Sequence, residues 1–128
     1  MTVVFLSVQE VEEIHASQIN LFGGSHGLRA RELLESAVAM PKASFGGESL
    51  YADIYEMAAV YLFHIVKNHP FVDGNKRTGA VSALVFLATN GILVKSGQRE
   101  FEKLVLSVAD NKADKDKIAV FLRDSEKI

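Results

Sequence analysis

The 128-residue chain contains no cysteine. That excludes disulfides, thiolate nucleophiles and cysteine-based zinc sites. Neither sign of charge dominates, with 14 Lys and Arg against 16 Asp and Glu and a formal net charge of -2. No basic cluster stands out, and nucleic-acid-binding domains usually carry a basic face, so no nucleic-acid partner is expected. No apolar run reaches the roughly 20 residues of a membrane span. The N-terminus lacks the charged-then-apolar layout of a signal peptide. The expectation is a cytoplasmic protein with no membrane partner. Internal repeats, linkers and low-complexity tracts are also missing.

The composition, 48% hydrophobic and 23% charged, is that of an ordinary globular chain. At this length it predicts one domain over residues 1–128 with a sizeable core. Glycine, proline and asparagine punctuate a series of helical patterns, so the fold class expected is all-α. Thr2 to Leu6 is β-branched and apolar, a candidate short strand. Ser7 with Glu10 forms a capping box that opens a helix to about Leu21, with Val8, Val11, Ile14, Gln18 and Leu21 at helical spacing. Gly23 and Gly24 end it. A second helix is expected over Arg29–Met40, stopped by Pro41. Lys42 to Ala52 reads as a loop centred on Gly46 and Gly47, whose Phe45, Leu50 and Tyr51 either pack beneath it, the favoured reading, or face a ligand. Helices over Ile54–Asn68 and Asn75–Asn90 are apolar almost all round, the mark of central, buried helices. A short extended piece at Ile92–Val94 and two amphipathic helices, Gln98–Ala109 and Asp114–Arg123, complete the chain. The charged connection Asp110-Asn111-Lys112 lacks the glycine and spacing of a calcium loop.

Between the two central helices lies the most polar segment, His69-Pro70-Phe71-Val72-Asp73-Gly74-Asn75-Lys76-Arg77. Pro70 cannot continue the incoming helix and biases His69 out of helical geometry. Phe71 is apolar and is expected to anchor the loop in the core. Gly74 permits backbone conformations closed to other residues, and Asn75 is a favoured N-cap. The free N–H groups of the next helix's first turn, with Lys76 and Arg77, form a site for a multiply charged anion, phosphate above all. Asp73 would repel such an anion unless a divalent cation bridged the two, and Mg²⁺ is the usual choice. A neutral His69 imidazole could accept a proton from an attacking hydroxyl. The same residues also read as an ordinary turn and helix cap with solvated cations. Two cations in a helix first turn oppose the helix dipole, which favours the anion site.

The segment resembles the signature of the Fic/Doc family, His-x-Phe-x-Asp/Glu-Gly-Asn-Gly/Lys-Arg, matched by His69, Phe71, Asp73, Gly74, Asn75 and Arg77. The order of helices is similar to that of the Doc (death-on-curing) toxin branch over essentially the whole chain. The resemblance implies a compact helical bundle with the motif loop between two central buried helices. It implies His69 as general base, Asp73 as the Mg²⁺ ligand, and Gly74, Asn75, Lys76 and Arg77 as the cradle of the phosphates of ATP. It places residues 44–51 where the family has a flap that clamps the target segment. Lys76 stands where AMP-transferring members carry glycine, and Ala80 stands where they carry a second arginine. Both departures resemble the members that pass on the terminal phosphate, whereas Gly74 resembles the AMP-transferring form. Kinase chemistry on a Ser or Thr hydroxyl is therefore expected, with AMP transfer as the alternative and a catalytically idle binding module as a third reading. Ser96 and Glu100 have the spacing of the family's internal inhibitory helix, but Phe101 breaks the pattern. A separate antitoxin is implied instead, and the target implied is a translation factor such as elongation factor Tu.

Other constellations carry less. His64 and His69 lie five apart and share no helix face as a zinc pair would. His64 sits between Phe63 and Ile65 and reads as a packed residue. His15 and His26 are isolated and receive no role, and Arg99 and Lys103 read as solvated.

Overall fold

The computed structural model describes residues 2–95 and 97–127. Ser96 lies outside the described residues. Among these residues the chain forms six α-helices: α1 Val8–Phe22, α2 Arg31–Ala39, α3 Ile54–Asn68, α4 Asn75–Thr89, α5 Gln98–Ala109 and α6 Lys115–Asp124. Two short antiparallel ladders accompany them. β1 (Ser44–Phe45) pairs with β2 (Glu48–Ser49), and β3 (Leu93–Val94) pairs with β4 (Glu126–Lys127). The all-α architecture is as expected. No described helix is long and apolar enough to cross a membrane.

Side-chain caps fix the starts of α1, α3 and α6. The Ser7 hydroxyl accepts from the Glu10 N–H at 3.1 Å, and the Glu10 carboxylate accepts from the Ser7 N–H at 2.9 Å. Gly23, at φ +88°, closes α1. Asp53 caps α3 by accepting from the Glu56 N–H at 2.9 Å, and its other oxygen takes the Arg123 guanidinium at 2.7 Å. α2 starts two residues later than expected. The N–H groups of Arg29 and Ala30 both donate to the Pro70 carbonyl, at 2.7 and 3.0 Å, so these residues belong to the motif loop and not to the helix. Pro41 does not stop the chain dead; it sits in a single 3₁₀ turn, Met40–Lys42, after α2.

α3 is the central helix. Ala58, Ala59, Tyr61, Leu62 and Ile65 are fully buried. α1, α2, α5 and α6 contribute Val11, Leu34, Val108, Ile118 and Leu122 around it. α4 lies close alongside. A Cβ on Gly79 would stand 3.0 Å from Val66 Cγ2 and 3.1 Å from the Leu62 carbonyl oxygen, so glycine sets the approach of the two helices.

Five expectations need correction. α4 is not covered all round: Thr78, Gly79, Ser82, Ala83, Phe86 and Leu87 are buried, while Ala80, Val81, Leu84 and Val85 are half-exposed. With Leu21, Phe22 and Phe101, the residues Ala80, Val81 and Leu84 line an apolar groove between α1 and α5. The buried stripe of α1 is Val11, His15 and Ile19, whereas Leu21 is 69% exposed. Phe45 and Leu50 do not pack under their loop and are 83% and 58% exposed, whereas Tyr51 does pack against the core. The loop itself is a hairpin, turning at Gly46 and Gly47 with both φ angles positive, as its tight two-residue turn requires. Residues 2–6 form no ladder. Instead the Asn90 side-chain amide donates to the Val4 carbonyl and accepts from the Val4 N–H, each at 2.9 Å, standing in for a strand.

The Leu6 N–H donates to the buried Tyr61 hydroxyl at 2.9 Å. Burial pushes the Tyr61 phenol up to about 12. A raised folded value means this contribution is intact below the unfolded value of about 10 and disappears as pH climbs through about 12. Tyr61→Phe should lower stability by about 1–3 kcal/mol, because it orphans the Leu6 N–H. Urea titrations from neutral to alkaline pH check this. The stability gap between wild type and Tyr61→Phe should narrow across that alkaline window.

Candidate functional site

The motif loop starts where α3 stops. His69 takes the left-handed conformation, φ 53° and ψ 54°, while its N–H still donates to Ile65 at 3.3 Å. Its side chain is exposed. Phe71 is 2% exposed, and its ring lies flat on the His15 imidazole, 3.8 Å between centroids and 4° from parallel. The buried Asn75 side chain holds both backbone groups of Phe71, accepting from its N–H at 2.9 Å and donating to its carbonyl at 3.0 Å.

Asn75 is therefore not the N-cap expected of it. It is the first residue of α4, and its amide is committed backwards to the loop. The cap is Gly74, at φ +79°, which has no side chain to offer. Among the described residues the first-turn N–H groups of α4 have no side-chain acceptor, and the positive end of the helix dipole faces the cleft.

The segment from Gly23 to Ala30, joining α1 and α2, straps the loop along its length. Leu28 and Phe71 form an antiparallel bridge, and the Val72 N–H donates to Gly27 at 3.0 Å. The Ser25 N–H donates to Asp73 Oδ2 at 3.1 Å, and the Gly74 N–H donates to Oδ1 at 2.8 Å. Arg29 reaches the carbonyls of His69 and Asn68 at 2.6 and 2.9 Å. Arg77 donates to the Gly23 carbonyl at 2.8 Å and lies over the Phe22 ring. From beneath, buried His15 donates through Nε2 to the Asp73 carbonyl at 2.8 Å.

A cleft of about 360 Å³ brings His69, Asp73, Gly74, Asn75, Lys76 and Arg77 together. Lys67, from the last turn of α3, adds a third cation to its wall. The exposed Asp73 carboxyl is held below the usual carboxylate range, first by the Ser25 and Gly74 N–H donors and then by the nearby Arg77 charge. It is ionised at neutral pH. Each oxygen takes one N–H, so each keeps a lone pair for a cation. No group of three or more His, Cys, Asp or Glu side chains converges among the described residues. One carboxylate with open lone pairs beside a helix N-terminus could hold Mg²⁺, which commonly binds through one or two carboxylates and the phosphates of a ligand. An imidazole, a helix N-terminus with cations and one carboxylate line a single cleft, groups that could serve a group transfer.

Sequence reasoning missed His15, Ser25, Arg29 and Lys67. The spacing Val11, His15, Ile19 is helical and was a legible sign that His15 faces inward. Ser25 acts through its backbone N–H, and Arg29 meets the loop 40 residues away, so local patterns carry no sign of either.

Gly24 is the tightest point of the strap. A Cβ there would lie 2.6 Å from Asp73 Oδ2 and 3.0 Å from Ile19 Cδ1, on a residue at φ +117°. Gly24→Ala should cost about 1–3 kcal/mol from backbone strain alone. It should also push the Asp73 carboxylate off the Ser25 N–H. Carboxyl-carbon NMR titration should then find Asp73 moved up toward the ordinary carboxylate value; an unchanged titration would contradict this geometry.

A family model described as Fic/DOC family matches residues 5–87. The chain is similar to Toxin Doc of Mycolicibacterium smegmatis, 38% identical over 103 residues, which cover 79% of each protein. It is similar to Protein kinase doc of Escherichia phage P1, 34% identical over 89 residues, which cover 70% of each. The match spans α3, the whole motif loop and α4 up to residue 87. The chain belongs to the Fic/Doc family.

Proposed function

We propose that this protein is the toxin of a toxin–antitoxin pair, a single Fic/Doc domain over residues 1–128 acting in the cytoplasm. It transfers the terminal phosphate of ATP to a Ser or Thr hydroxyl of a target protein, with a translation factor such as elongation factor Tu as the class of target. The observation that carries this reading is the convergence of His69, Asp73, Lys76, Arg77 and the uncapped start of α4 on one cleft. The printed names of the relatives, a toxin and a protein kinase, support it.

The hydroxyl oxygen attacks the terminal phosphorus, and its proton passes to the neutral imidazole of His69. The bond from that phosphorus to its bridging oxygen breaks, and ADP leaves with the electron pair. The first-turn N–H groups of α4, with Lys76 and Arg77, hold the phosphate oxygens as charge develops. Mg²⁺ on Asp73 would offset part of the phosphate charge when bound. The β1–β2 hairpin, which carries the exposed Phe45, stands in the chain where the family has its target-clamping flap and would receive the target segment. The uncovered apolar groove along α4 gives a separate antitoxin a surface to grip.

Lys76 favours phosphate over AMP transfer, because it adds a side-chain cation where the AMP-transferring pattern has bare backbone. Ala80 favours it too: it faces the groove and not the cleft, and supplies no second guanidinium to clamp the terminal phosphate.

Intact-protein mass spectrometry of a cell extract incubated with the protein, ATP and Mg²⁺ tests the reading. The expected result is a gain of about 80 Da on one protein, lost with His69→Ala; a gain of about 329 Da would mean AMP transfer instead. With purified target, His69→Ala should slow transfer by about 10²–10⁴-fold. No gain of either mass would leave the chain a binding module.

A further inference from the structure

His69 occupies a conformation that residues with side chains rarely adopt, φ 53° and ψ 54°, at the exit of a helix. Left-handed non-glycine residues persist where surrounding contacts over-determine them. Here those contacts come from one place. The Arg29 Nε donates to the His69 carbonyl at 2.6 Å, and its Nη2 donates to the Asn68 carbonyl at 2.9 Å. The N–H groups of Arg29 and Ala30 both donate to the next carbonyl, that of Pro70. Three consecutive carbonyls, before, at and after the proposed base, are thus held by residues 29 and 30. The side chain accounts for the two that lie at the helix end and at His69 itself.

We propose that Arg29 is a positioning residue for His69: its planar fork, spanning the Asn68 and His69 carbonyls, locks the left-handed turn that aims the imidazole into the cleft. The inference rests on the reading of His69 as the general base. The fork shape is the essential property. A lysine at position 29 keeps a cation near the negative end of α3, and so keeps the favourable helix-dipole interaction. A single ammonium on a flexible stem does not reproduce two N–H vectors fixed in one plane. Arg29 is exposed and lies outside the cleft lining, so its loss should leave the core and the phosphate cradle intact. Its effect should fall on the orientation of the base, where misplacement by about 1 Å costs about 100-fold in rate.

Arg29→Ala and Arg29→Lys test this. In steady-state transfer with ATP and purified target, both variants should lose about tenfold or more in kcat. The KM for ATP should stay within about twofold, the pattern of an interaction lost only on the way to the transition state. Millimolar guanidinium should restore part of the rate of Arg29→Ala and leave wild type unchanged. His69 imidazole NMR signals, assigned by their absence in His69→Ala, should be single in wild type and multiple or broadened in both variants. This readout does not depend on turnover, so it holds even if wild type transfers nothing and the reading of His69 as base fails. An unchanged kcat, or an unchanged His69 signal in Arg29→Ala, would overturn the proposal. So would a fall in thermal stability with kcat and KM shifting together and no rescue by guanidinium, which would make Arg29 a structural residue only.

Discussion

The structure depends on how the backbone of residues 69–74 is satisfied. α3 and α4 pack closely at Gly79, and the loop joining them carries Pro70, Phe71 and Asn75 into the interior. Phe71 is buried at its centre, where backbone polar groups without partners would cost several kcal/mol. The Asn75 amide takes both groups of Phe71. Pro70 is taken by Arg29 and Ala30, Val72 by Gly27, and the Asp73 carbonyl by His15. The partners come from three stretches of chain, α1, the Gly23–Ala30 strap and α4, and together they hold the loop backbone from several sides. That is the rigid support a site built on a loop needs.

The accounting also determines which groups stay free. Because Asn75 turns back to Phe71, it cannot cap α4, and Gly74 has nothing to cap with. The helix therefore meets the cleft with its donors exposed, beside Lys67, Lys76 and Arg77. A favoured N-cap residue has been given to the loop, and in the proposed function an anion is the missing acceptor. The Asp73 carboxylate is held ionised by two backbone donors and stays open to solvent on its other side. The features that would count as defects in a purely structural loop are those that suit a phosphate site.

Much of this was legible in the sequence. The capping box at Ser7 and Glu10, the bounds Ile54–Asn68 and Gln98–Ala109, and the motif loop between central helices follow from patterns local in the chain. The partners of the loop were not. His15 looked isolated because its contacts are with residues 71 and 73, although its spacing from Val11 and Ile19 placed it inward. Arg29 looked like the start of a helix because arginine is a good helix former, and only the Pro70 carbonyl, far off in sequence, draws it away. The apolar α4 suggested full burial, yet its partly uncovered face shows that an all-apolar pattern records what a helix can cover, not what the same chain covers. The exposed Phe45 and Leu50 teach the same lesson for a hairpin too short to fold back on the core.

The central claim is that the start of α4 receives phosphate. An amide NMR titration of the protein with ATP and Mg²⁺ tests it most directly. Saturable shifts should concentrate at Gly74, Asn75, Lys76 and Arg77, with His69 following and the far ends of α5 and α6 unmoved. Shifts confined to other surfaces, or none at saturating nucleotide, would contradict the account.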